Sequence, residues 1–324
     1  MGTFAGHALP GSFFIFFGLW ATYHSMKRYY RQRSAKIRGE HGADYVNRIS
    51  FPLKVSNAPR CCRGTADWEI PLDSFLKAFC CIIGIVGEVY TGFNSEWKFV
   101  HIGNAQHSTM FGTFGLSGIV ELLIFYGLIK VPIQTEYVFG LVALLAEAFL
   151  FFFHLHGRTP VDVYVHMLLA GMIVLSILAG LCEMLRPHQP TWLLMRNLGI
   201  LVQGTWFWQV GAVLYPAAWW MPTWDEVAKE SMPRAVNLFC YHILIDFMAV
   251  ISIACGMSLI YGRPVSHRMI GDHIPMPPIE RDEQHSHDDQ MISPQEVTGP
   301  DGDEEENERE IWRNPTATDI NGTC

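Results

Sequence analysis

The sequence predicts an all-α polytopic membrane protein: a bundle of seven transmembrane helices, with the N-terminus outside or lumenal and the C-terminus cytosolic. Three observations predict it. Seven apolar runs lie at about 8–26, 72–92, 104–129, 137–156, 161–185, 195–216 and 237–261. Each is close to the roughly 20 residues that span a hydrocarbon core. Charge is segregated: residues 262–324 hold 15 Asp/Glu against 5 Lys/Arg, whereas the rest of the chain balances 16 acids with 18 bases. Finally, runs such as LVALLAEAFLFFF and MLLAGMIVLSILAGL lack the polar stripe that a helix of a soluble bundle carries.

The first run has no basic stretch before it; Lys27, Arg28, Arg31 and Arg33 follow it instead. That order predicts an uncleaved anchor. Loop 27–71 carries ten Lys/Arg against four Asp/Glu, which places it in the cytosol by the positive-inside rule. The third run contains Gly112, Gly115 and Gly118, and the sixth Gly199, Gly204 and Gly211. Such residues let helices approach closely in lipid. Gly157 ends the fourth helix, and Arg158 caps it. Arg186 and Arg196 put the following loop inside. The acidic, Trp-rich stretch AAWWMPTWDEVAKESMPRAV (217–236) suits an outer loop with an interfacial aromatic belt.

Two regions result: a helical domain over 1–261 and a disordered acidic cytosolic tail over 262–324, whose GPDGDEEENERE has almost nothing to bury. Cys61, Cys62, Cys80, Cys81, Cys182 and Cys324 fall on the cytosolic side and only Cys240 near the outer side, so no disulfide framework is expected. The sequon at Asn321 lies in the tail and should stay unmodified.

Ionisable groups at membrane depth are functional candidates, because desolvating them is costly. His107, His166 and His242 each lie about 5–8 Å below the outer end of their helix, and Glu88 and His154 lie at similar depth. His7 precedes the first helix on the same side. Asp162 and His166 share a face, as do His242 and Asp246 and, seven apart, Glu147 and His154. His156 points away from His154 where the helix continues. A carboxylate one turn from an imidazole can orient it on a metal. The metal candidates are therefore His107, His154, His166 and His242, supported by His7, Glu88, Glu147, His156, Asp162 and Asp246. Zinc is the cofactor such donors suit. The alternative is that single histidines near helix ends join neighbouring helices. Glu121 and Glu183, near the inner ends, find their simplest partners in Lys130 and Arg186.

Three strings resemble the transmembrane protein 45 family: GHALPGSFFIFFGLW at the start, HLHGR after the fourth helix, and LVQGTWFWQVGAVLYP in the sixth. His242, early in the last helix, fits as well. The resemblance covers residue 1 to about 261; loop 27–71 is longer and more basic than the family pattern, and the acidic tail is particular to this chain. It implies a multi-pass protein of endomembranes or the plasma membrane and names no chemistry.

Three function classes follow. A zinc-dependent intramembrane hydrolase acting on a lipid would use three protein ligands and an attacking hydroxide. A proton-coupled transporter would relay protons along Glu88, Glu147, Asp246 and the histidines. A trafficking or scaffold protein would use the polar cluster for packing and the tail to recruit cytosolic partners. Membrane lipid is an expected partner in each; nucleic acid is not.

Overall fold

The computed structural model describes residues 3–262, apart from 41, 43, 56–67, 154, 156 and 220. The expected disordered tail therefore lies outside the described residues, as do Cys61, Cys62, Cys324 and the Asn321 sequon.

The described chain is mostly helical. Its seven α-helices are α1 (Phe4–Ile37), α2 (Leu72–Thr91), α3 (Ile102–Phe125), α4 (Thr135–Phe153), α5 (Pro160–Leu185), α6 (Pro190–Leu214) and α7 (Ser231–Tyr261). Five of them, α1, α3, α4, α5 and α7, are long and apolar enough to cross a membrane. Of the other two, α2 holds Asp73, Lys77 and Glu88, and α6 holds Arg196, Asn197, Gln203 and Gln209.

Local signals set the ends. Thr3 caps α1 by accepting from Gly6 N at 3.0 Å. Thr159 caps α5, with Pro160 in the first turn, where a missing N–H costs nothing. Gly127 closes α3 with φ 65°, so that Leu128 N reaches Leu123 O at 2.9 Å. The first helix departs most from expectation. It runs 34 residues, about 51 Å at 1.5 Å per residue, well beyond a hydrocarbon core of about 30 Å. Hydropathy ends the run where the bases begin, but KRYYRQRSAKI still has good helix formers and continues as a polar extension.

The stretch expected to be a plain basic loop also contains a two-stranded antiparallel sheet, β1 (Leu53–Val55) and β2 (Trp68–Ile70), with Lys54 opposite Glu69. Asn47, just before it, ties the loop to the α5–α6 turn: its N–H donates to Pro187 O at 2.6 Å and its Nδ2 to Gln189 O at 3.0 Å.

Helix α6 is central. It lies against α1, α5 and α7, while α2 packs on α3, α3 on α4 and α4 on α5. Leu169, Ile173, Val202, Trp206 and Val210 form the fully buried centre, and the Trp206 indole donates to Val165 O at 2.9 Å. The α1–α6 crossing is the tightest approach of backbones. A Cβ on Gly204 would lie 2.6 Å from Ile15 N, and one on Gly11 would lie 2.7 Å from Gly204 O. Only glycine allows that distance. The perimeter is apolar: Phe79, Ile82, Val86, Phe149, Leu175 and Leu244 are each more than half exposed. Large contiguous apolar surfaces of this kind belong against lipid.

Candidate functional site

The predicted site residues, at the helix ends expected to face outward (the outer ends below), do not form one cluster. His166 on α5 is almost fully buried; its Nδ1–H donates to Asp162, with both the main-chain O and carboxylate Oδ1 at 2.8 Å. Arg158 donates to the same carboxylate at 2.9 Å. The ring of His7 stands edge-on to His166 with centroids 5.9 Å apart, and Phe151 stacks on the other side. His7, Asp162 and His166 therefore meet.

His107 does not join them. Its Nδ1 lies 3.1 Å from Glu88 Oε1 on α2, and the pair is partly exposed. His242 is separate again, 3.5 Å from Gln209 Oε1 and edge-on to Trp206. Asp246 does not bond His242, one turn away; it accepts from Thr205 Oγ1 at 2.6 Å. Glu147 is completely buried and neither carboxyl oxygen has a partner. His154 and His156 lie outside the described residues. Among the described residues, no three His, Cys, Asp or Glu side chains are placed to hold a metal. The physical reason is lateral: α3 packs on α2 and α4, α7 on α1, α5 and α6, so His107 and His242 share a depth but not a neighbourhood.

The opposite helix ends, expected to face inward (the inner ends below), are organised differently. Asp73 accepts from Ser50 Oγ at 2.8 Å, Phe51 N at 2.7 Å and Ser74 N at 2.9 Å. Ser74 Oγ donates onward to Glu121 Oε2 at 2.7 Å, and Glu121 is also ion-paired with Lys77. Beside this network, fully buried Glu183 accepts from Tyr137 OH at 2.8 Å and from Arg196 Nε at 2.6 Å. The expected partners Lys130 and Arg186 are thus replaced by Lys77 and Arg196, which come from other helices. A sequence-neighbour argument cannot find them.

Between these groups lies a cavity of about 170 Å³. Phe13, Phe17 and Trp20 of α1 and Phe111 and Phe114 of α3 form its walls, and Asp73, Lys77, Glu121, Tyr137, Arg196 and Asn197 its polar end. Several polar atoms on these lining residues are buried without a partner: Arg196 Nη2, both Asn197 amide atoms and Trp20 Nε1. Sequence reasoning missed this site because it weighed only His, Asp and Glu inside the apolar runs. The available signals were Lys77 within the second run and the Arg196–Asn197 pair opening the sixth.

Comparisons with known proteins match the membrane reading. Residues 134–257, from just before α4 to near the end of α7, match the model of a family of unknown function, DUF716. The chain is 23% identical over 261 residues to transmembrane epididymal protein 1A of Mus musculus, covering 78% of this chain and 80% of that protein. It is 23% identical over 261 residues to transmembrane epididymal protein 1 of Rattus norvegicus, with the same coverage. It is 25% identical over 209 residues to transmembrane epididymal protein 1 of Homo sapiens, covering 61% and 74%. These findings correct the resemblance to the transmembrane protein 45 family: the matching family model and relatives carry other names. Part of what carried that resemblance is packing, since Gly11, Gly204 and Gly211 of those strings sit where α1 meets α6. The chain is an integral membrane protein with several apolar helices, similar in sequence to transmembrane epididymal proteins.

Proposed function

We propose that the chain is a seven-span membrane protein that binds an amphiphilic molecule within its helices. Its N-terminus faces outward or into a lumen, its acidic tail faces the cytosol, and it resides in the plasma membrane or in Golgi and endosomal membranes. The ten bases of loop 27–71 support this orientation. It places the cavity in the cytosolic half and leaves the tail free to reach cytosolic partners.

The observation that carries the reading is the cavity with its unpartnered polar atoms. A buried donor or acceptor without a partner costs about 1–3 kcal/mol. Arg196, Asn197 and Trp20 keep such groups at one aromatic-walled space. Apolar walls with a few convergent polar groups are the usual make-up of a small-molecule site. A ligand that completes those bonds stabilises the folded chain by mass action. A metal-dependent hydrolase has less support, because the described histidines are divided among separate partners.

The test is extraction and mass-spectrometric identification of amphiphiles that co-purify with the full chain in mild detergent, compared with Gly140→Leu. Gly140 lines the cavity and a Cβ there would meet only Ile49 Cδ1, at 3.9 Å, so leucine fills space without a backbone clash. We expect the variant to fold and to lose the bound molecule. Equal amounts bound to both proteins would reject the reading.

A further inference from the structure

We infer that the cavity takes an uncharged, single-chain lipid whose head carries a carbonyl and a hydroxyl group, seated on Arg196 and Asn197. This rests on the binding function proposed above and specifies its ligand.

Charge decides the head. Asp73 and Glu121 are the acids that line the cavity, Glu183 lies beside it, and Lys77 and Arg196 are the bases that line it. Lys77 is taken by Glu121 and Arg196 by Glu183. Asp73 is satisfied by three hydrogen bonds rather than by a cation. Neither cation that lines the cavity is left over for an anionic head. Such a head would be a charge without a partner in a poorly solvated place, where it is strongly disfavoured. A cationic head would offer the wrong groups. The unpartnered atoms Arg196 Nη2 and Trp20 Nε1 are donors and need acceptors. Asn197, only 1% exposed, contributes one more donor and one acceptor whichever way its amide is turned. A neutral head with a carbonyl for the donors and a hydroxyl for the amide oxygen answers all of them.

Size decides the chain. A space of about 170 Å³ is small beside the roughly 300–1,000 Å³ that encloses a drug-sized ligand. It accommodates a head and the first carbons. Phe13 and Phe17 of α1 and Cys80 and Cys81 of α2 line it, yet α1 packs on α6 and α7, and α2 on α3. The remaining chain leaves between α1 and α2 into the surrounding lipid. A volume of this size holds one small head with the start of one acyl chain, not the phosphodiester head and branched glycerol of a two-chain phospholipid.

The experiment is photolabelling of the full-length chain in detergent with a photoactivatable, alkyne-tagged monoacylglycerol, followed by peptide mapping. We expect label on α1 and α6. Unlabelled monooleoylglycerol should compete, whereas ionised oleate and dioleoylphosphatidylcholine should not. Asn197→Leu should reduce labelling about tenfold, the effect of losing one or two hydrogen bonds. Its unfolding temperature should hold or rise, since the substitution removes an unpartnered buried amide, so a loss of label cannot be ascribed to unfolding. Oleate competing as well as monooleoylglycerol would overturn the uncharged head. So would unchanged labelling of Asn197→Leu. If oleate wins while Gly140→Leu still sheds its co-purified lipid, the head assignment falls and the cavity reading stands. If Gly140→Leu labels like wild type as well, both fall.

Discussion

The two ends of the helical body both hold polar groups and use them in opposite ways. At the end expected to face outward, His107 pairs with Glu88 and His166 with Asp162, each a local arrangement. At the inner end, Asp73, Ser74, Lys77 and Glu121 bind loop, α2 and α3 into one network, and Tyr137, Glu183 and Arg196 join α4, α5 and α6 beside it. There the hydrogen-bonding capacity is not used up, and space adjoins it. A striking residue type is therefore a poorer guide to a site than the coincidence of unfilled hydrogen-bond capacity with volume.

The largest expected effect is at the inner end. Glu183→Gln leaves Arg196 buried without its counter-charge. Removing one partner of a buried ion pair costs about 3–5 kcal/mol. Thermal unfolding in detergent should show a large loss, partly recovered in Glu183→Gln/Arg196→Met, which removes both charges. A loss below about 1 kcal/mol would mean that solvent or lipid headgroups screen the pair, and the inner end would then resemble the outer one.

Asp162→Asn applies the same change at the outer end. Asp162 is mostly buried, but Arg158 keeps about a fifth of its side chain exposed and can turn to water. A hydrogen bond to a charged group is worth about 1.5–3 kcal/mol, and the amide retains part of it. We expect a loss near the lower figure. A loss equal to that of Glu183→Gln would erase the contrast between the ends.

How much of this was legible in the sequence follows from the range of each signal. Each apolar run overlaps a helix; α6 and α7 begin earlier than their runs, at Pro190 and Ser231, and α1 continues as a polar helical extension that carries no hydropathy signal. His7, Asp162 and His166 meet. Lateral neighbourhood was not legible. Asp246 shares a helix face with His242 but bonds Thr205 of α6, and Glu121 finds Lys77 across α2 rather than Lys130 nine residues on. Glu147 and His154 were placed on one face; Glu147 proves buried without a partner, and His154 is outside the described residues. Periodicity fixes a face but not the helix opposite it, and the cavity arises from which helices fail to pack together.

The smallest expected effect is at His107. Its side chain is 44% exposed and its partner Glu88 23% exposed. Exposed ion pairs contribute about 0–1 kcal/mol. His107→Ala should therefore shift the unfolding temperature by about 4 °C at most, by the usual conversion for domains of this size. The same measurement in the presence of zinc sharpens the comparison. A metal that bound His107, His166 and His242 together would stabilise the wild type, and each alanine variant would lose that stabilisation entirely, because one site is destroyed once. With the three histidines on separate partners, zinc should give little stabilisation, and the single-variant effects should simply add. Loss of a shared zinc effect in all three variants would show that the outer end closes into one site after all, and that the two ends differ less than their pairing suggests.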